Sequence, residues 1–276
     1  MRKTTLLAAA ALLGSPGLTL AQNTPEENND NVDAPFVRNI RADRPGQTIT
    51  AQVLRAGRFQ LEAGTQRVAP ALGESMLNSG ATLRIGFFNS MELRVSQPHF
   101  SGYQQRISTG EGERFETVAG WAPLVVGSKF MISPNYDTRT QVAIMVETPL
   151  PGTGSKELAV KGLAPSGRLL VSQQLGERYG LEANFGFSQP GMTVADIEKG
   201  QFIGTLALNG PISSTTGFFI EGYGIGRGEL STGTTAGLYW RPLPLLRLDV
   251  NAGRVLGGAA GGTATVGAGL AFKLGK

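Results

Sequence analysis

Cysteine is absent from the chain and histidine occurs once, at His99. The first absence excludes a disulfide framework and a lipid-bearing cysteine. Together they exclude the ordinary zinc sites, which are built from cysteine and histidine. No run of 18 apolar residues occurs beyond residue 21, so no helix able to cross a bilayer is expected there. Basic residues form no stripe, so nucleic acid is not an expected partner. The glycine-rich Gly222-Tyr223-Gly224-Ile225-Gly226-Arg227-Gly228 lacks the lysine of a phosphate-binding loop and opens no helix. It reads as a hairpin. His99 and Ser101 stand two apart, which puts them on one face of a strand, but Pro98 interrupts the pattern and His99 reads as an exposed loop residue. An enzyme is therefore not expected, nor any catalytic residue, cofactor or metal. A lipid hydrolase on a barrel face rests on that pair alone.

What is abundant is glycine, 39 of 276 residues, about twice the usual share of roughly 7%. At the N-terminus Arg2 and Lys3 precede a short apolar run, Leu6 to Leu13. Gly14, Pro16 and Gly17 break it, and Thr19-Leu20-Ala21 ends it on a small residue. This is the pattern of a secretory signal, with cleavage expected after Ala21. Loss of Arg2 and Lys3 lowers the formal charge from +4 to +2. Three divisions follow: a signal peptide over 1–21, a polar periplasmic leader over 22–57, and a β-region over 58–276.

That region alternates apolar with polar or small residues. Phe59 and Leu61 oppose Gln60 and Glu62; Met91, Leu93 and Val95 oppose Glu92 and Arg94; Leu246, Leu248 and Val250 oppose Arg247, Asp249 and Asn251. A period of two is the signal of a strand with unlike faces. Twelve such strands are expected, over 58–67, 81–87, 91–97, 122–131, 138–148, 167–175, 178–187, 201–208, 215–224, 230–240, 245–255 and 263–274. Strand 167–175 is apolar and its face ambiguous. The connections after even strands are short and those after odd strands generally longer, with 98–121 the longest. Its stretch from Arg106 to Arg114 reads as an external loop. Such parity belongs to an up-and-down barrel with short periplasmic turns. The fold expected is all-β: a closed, antiparallel transmembrane barrel of about 12 strands with a short periplasmic N-terminal segment.

On such a barrel Glu62, Arg84, Glu92, Arg94, Lys129, Glu147, Glu182, Glu221, Arg247 and Asp249 would face the lumen, both signs intermixed. Trp121, Tyr239 and Trp240 fall near strand ends, where aromatic girdles form. Residues 36–50 carry Arg38, Arg41, Asp43, Arg44 and Pro45 just before the first strand. Two readings stay open for them. One is a leader that tethers the barrel. The other is a plug, Arg41, Asp43 and Arg44 folding into the lumen and the arginines pairing with lumen carboxylates such as Glu62, Glu92, Glu182 and Glu221.

Ile40-Arg41-Ala42-Asp43-Arg44-Pro45-Gly46-Gln47-Thr48 is followed by Ala56-Gly57-Arg58-Phe59-Gln60-Leu61-Glu62-Ala63-Gly64. Later come Val126-Gly127-Ser128-Lys129-Phe130, Phe218-Phe219-Ile220-Glu221-Gly222-Tyr223 and Leu248-Asp249-Val250-Asn251-Ala252-Gly253. In this order and spacing, residues 40–276 resemble the outer-membrane barrels labelled transporters of the meta-pathway of phenol degradation. The resemblance implies an outer-membrane barrel of a Gram-negative bacterium, porin-like, acting as a passive channel or transporter for small, apolar or aromatic solutes. A non-conducting structural or accessory barrel is the alternative. The expected partners are outer-membrane lipid, a small-molecule solute and the barrel-insertion machinery.

Overall fold

The computed structural model describes residues 40, 42–71, 75–109, 112–133, 139–176, 178–192 and 199–274, with only the backbone of the strands within 103–117. The signal peptide, most of the leader and Arg41 lie outside the described residues. Thirteen strands follow in order: β1 (Phe59–Ala69), β2 (Met76–Phe88), β3 (Met91–Thr109), β4 (Gly112–Trp121), β5 (Val125–Met131), β6 (Thr140–Pro149), β7 (Ser166–Leu175), β8 (Tyr179–Ser188), β9 (Gln201–Pro211), β10 (Thr216–Arg227), β11 (Glu229–Leu243), β12 (Leu246–Gly257) and β13 (Ala264–Leu274). No helix occurs among the described residues.

Twelve strands close a ring in which every neighbour is antiparallel. β1 pairs with β13 on one side and β2 on the other. β2 pairs with β3, and the inner stretch of β3, Met91 to Ser96, pairs with β5. From β5 to β13 each strand pairs with the next. Closure leaves no strand edge unpaired in the ring, which is what hydrocarbon demands of a spanning sheet. The molecule is a transmembrane barrel.

The strand outside the ring, β4, corrects the sequence reading of 98–121. β3 continues past Pro98 to Thr109, and β4 returns along it from Gly112 to Trp121. The pair is a hairpin arm extending the wall. Pro98 does not stop β3, because its carbonyl accepts from the Ala122 amide at 2.9 Å and proline lacks only the donor. His99 is thus a half-buried strand residue against Trp121, ring centroids 4.8 Å apart. Most of Arg106 to Arg114 is strand, not loop.

Loop parity holds with two exceptions: eight residues, 132–139, separate β5 from β6 at the short-turn rim, and a single residue separates β10 from β11 at the other. At one rim the strands are joined through residues 89–90, 132–139, 176–178, 212–215 and 244–245. At the other lie 70–75, 150–165, 189–200 and 258–263, but also Gly228 alone between β10 and β11.

The alternation has a direct physical meaning. Ile220 is 50% exposed on the outer face while Glu221 beside it is 2% exposed inside. Leu206, Leu238, Val250 and Val266 are also exposed, facing outward as lipid favours. Trp121 and Trp240 are exposed, but Tyr239 is buried. Tyr239 therefore leaves the expected girdle: one step from Trp240 puts it inside, with the Arg247 guanidinium 4.2 Å from its ring centroid.

Candidate functional site in the barrel lumen

The inner face of the barrel is polar and charged. Glu62, Arg84, Glu92, Arg94, Lys129, Glu147, Glu182, Glu221, Arg247 and Asp249 are all buried there. Charges taken out of water cost several kcal/mol each unless paired and hydrogen-bonded, and most of these carry explicit partners.

Seven charged side chains form one cluster. The Arg84 guanidinium on β2 holds Glu92 with two bonds, Nε to Oε1 at 2.9 Å and Nη2 to Oε2 at 2.8 Å. Its Nη1 donates to Glu62 Oε1 at 3.0 Å. Arg94 on β3 donates from Nε to Glu147 on β6 and from Nη1 to Glu92, both at 2.9 Å. Lys129 on β5 lies 3.5 Å from Glu92. The remaining member is Asp43, which belongs to no strand. It accepts from Arg94 Nη1 and, at 3.0 Å, from Lys129 Nζ, and Arg84 Nη1 lies 3.6 Å away.

Asp43 reaches this cluster because the chain before β1 runs inside the barrel. Apart from Asp43, its contacts follow the wall in descending strand order. Ile40 and Ala42 lie against Ala271 of β13. Arg44 Nη2 bonds Asp249 of β12 at 3.3 Å and the Ala268 carbonyl of β13 at 3.1 Å. The Gln47 and Thr48 amides and the Thr48 hydroxyl all donate to Glu221 of β10, at 2.8–2.9 Å. Asn184 of β8 accepts from the Ile49 amide at 2.6 Å and donates to the Ile49 carbonyl at 2.7 Å. Ser172 of β7 accepts from the Ala51 amide at 2.9 Å while donating to Glu182. The Gln52 carbonyl accepts from Lys129 at 3.0 Å, and the Leu54 amide donates to Glu92 at 2.8 Å. The segment leaves at the turn-bearing rim, where the Gly57 amide bonds the Gly86 carbonyl at 2.9 Å. A backbone with no sheet partner of its own thus finds wall side chains instead, as buried amides require.

Glycines on the inner face make this approach possible. Gly64 and Gly269 are paired across β1 and β13. A Cβ on either would stand 2.1–2.2 Å from the Arg44 guanidinium, so the two glycines form a slot for it. At Gly86 a Cβ would lie 1.8 Å from the Arg55 carbonyl oxygen.

The pairings differ in detail from those expected of the arginines. Arg44 meets Asp249, not Glu62, Glu92, Glu182 or Glu221. Glu221 instead takes backbone amides, and Glu182 takes Ser172. Sequence reasoning left out Ser172, Asn184 and Arg168 as site residues. Asn184 alternates with Ala183 and Phe185, so period two would have placed it inside. Arg168 donates to the Gln47 carbonyl at 3.1 Å. Among the described residues no group of three or more potential metal-ligating side chains occurs.

Solved outer-membrane barrels share the fold, among them the following three. An outer-membrane channel from Pseudomonas putida F1 is 14% identical, covering 84% of this chain and 99% of its own, with a TM-score of 0.60. The NanC porin is 10% identical over 78% of this chain and 100% of its own, TM-score 0.55. The KdgM porin, solved with disordered oligogalacturonate, is 8% identical over 78% and 99%, TM-score 0.55. No family model matches the chain, and no curated protein matches it in sequence. At these identities the likeness is one of fold.

Proposed function

We propose that the protein is a passive outer-membrane channel for small solutes whose conducting path is closed by residues 42–56. The observation that carries this reading is the circuit of hydrogen bonds from Asp249 through Glu221, Asn184 and Ser172 to Glu92. It ties one irregular segment to inward-facing side chains around the wall. A transmembrane barrel whose structural relatives are porins and channels supports the membrane assignment. The resemblance to barrels of phenol degradation supports apolar or aromatic solutes. On this reading Asp43 and Arg44 are plug residues, residues 1–21 are removed on export, and the insertion machinery assembles the barrel in outer-membrane lipid.

The test is single-channel conductance in planar bilayers, with the full chain beside one lacking residues 22–50. The truncated barrel should insert normally and conduct more. Equal conductance, with heat-modifiable gel migration intact, would reduce the segment to a tether and favour a non-conducting barrel.

A further inference from the structure

The carboxylate of Asp43 sits where a ligand would. Arg84, Arg94 and Lys129 approach it from three consecutive wall strands, β2, β3 and β5. Asp43 is the one member of the cluster that the wall does not supply. Take it away, and the wall retains three cations matched by Glu62, Glu92 and Glu147, with the position between Arg94 and Lys129 vacated. A second observation points the same way. Arg94 Nη2 is buried and has no acceptor among the described residues even with Asp43 in place. A guanidinium donor so placed has capacity for one more acceptor oxygen than Asp43 provides.

The wall beside these cations is apolar. Lys129 is paired in register with Met145 of β6. Met145, Ala143 and Leu170 form a buried cluster with Ile49 and Ala51. Those two residues belong to the same segment as Asp43. Withdrawal of the segment therefore uncovers a carboxylate socket and an apolar patch side by side.

We propose that this stretch of wall is a binding site for small carboxylic acids with a compact apolar body. The solute carboxylate takes the place of Asp43 between Arg94 and Lys129, and its body takes the place of Ile49 and Ala51 on Met145 and Leu170. Solute and segment then exclude each other, so the acid both occupies the site and displaces the closure. This rests on the reading of residues 42–56 as a closing segment.

Benzoate and benzamide separate charge from shape, since the two share a ring and differ in the anion. Their binding to the purified full-length barrel is measured by calorimetry, for the wild type, for Asp43→Asn, and for Asp43→Asn with Arg94→Gln. The Asp43→Asn protein should bind benzoate about tenfold more tightly than wild type, because the competent state no longer has to be released. It should prefer benzoate to benzamide, and adding Arg94→Gln should remove both gains in a barrel that still shows heat-modifiable migration. Equal binding of the two probes, no gain from Asp43→Asn, or full benzoate affinity without Arg94 overturns the site. Conductance of the Asp43→Asn protein without benzoate reads the closure separately. If it stays at the wild-type level while benzoate binding behaves as stated, the site stands and the channel reading falls.

Discussion

Asp43 and Arg44 are adjacent in sequence and bind opposite sides of the closing seam. Asp43 faces Arg94 on β3, and Arg44 faces Asp249 on β12. A dipeptide of opposite charges thus braces the lumen, each side chain meeting its counter-ion on a different arc of the wall. Both pairs are buried, so solvent screens them weakly.

The slot for Arg44 gives the sharpest steric prediction. Gly269→Ala places a methyl 2.2 Å from the guanidinium, so Arg44 must shift from its place beside Asp249. Overpacking of this kind costs about 1–3 kcal/mol. The expected outcome is higher single-channel conductance with a lower unfolding midpoint in denaturant, and Gly64→Ala should behave alike. Unchanged conductance in both would mean that the guanidinium can re-seat without opening the path.

Glu221 can be tested through the backbone it holds. Glu221→Gln keeps the size but loses the charge that accepts the Gln47 and Thr48 amides. Hydrogen bonds to charged groups contribute about 1.5–3 kcal/mol each. Amide hydrogen exchange at Gln47 and Thr48 should accelerate, while exchange in β10 stays slow. Acceleration throughout β10 would show damage to the wall instead.

Arg84→Ala strips Glu62 and Glu92 of their main counter-ion. Leaving a buried charge unpaired costs about 3–5 kcal/mol, and the unfolding midpoint should drop accordingly. Adding Glu92→Ala should recover part of the loss, since contacting residues are not additive. Full additivity would show that Arg84 and Glu92 do not act as a unit.

The β3–β4 arm should be dispensable for closure. β3 pairs with β5 through Met91–Ser96, without using its outer half. Replacing residues 102–119 by a short turn should leave a barrel with normal heat-modifiable migration and the same low conductance. Failure to close would make the arm part of the wall's assembly.

The inward positions were readable wherever polar and apolar residues alternate strictly. Glu62, Glu92, Arg94, Arg247 and Asp249 stand between lipid-facing neighbours, and period two alone puts them inside. It failed where the lumen is apolar. Leu170 faces Ile49 and Ala51 rather than water, so 167–175 breaks the alternation and its face stayed ambiguous. The arm was illegible for a different reason: with Pro98 and dense charge, 98–121 carries no apolar period to mark strands. The partner of Arg44 was beyond any local pattern, because Asp249 lies 205 residues away.

β1 and β13 are the first and last strands of the ring, and their pairing is the seam at which the cylinder shuts. Gly64 and Gly269 face each other across that seam. A half-assembled sheet, however many strands it has zipped, contains one glycine of the slot or the other beside no partner. Arg44 therefore has a complete berth only in the finished ring, and the lumen it occupies does not exist earlier. In this architecture the occupant and the container are completed by one and the same row of hydrogen bonds.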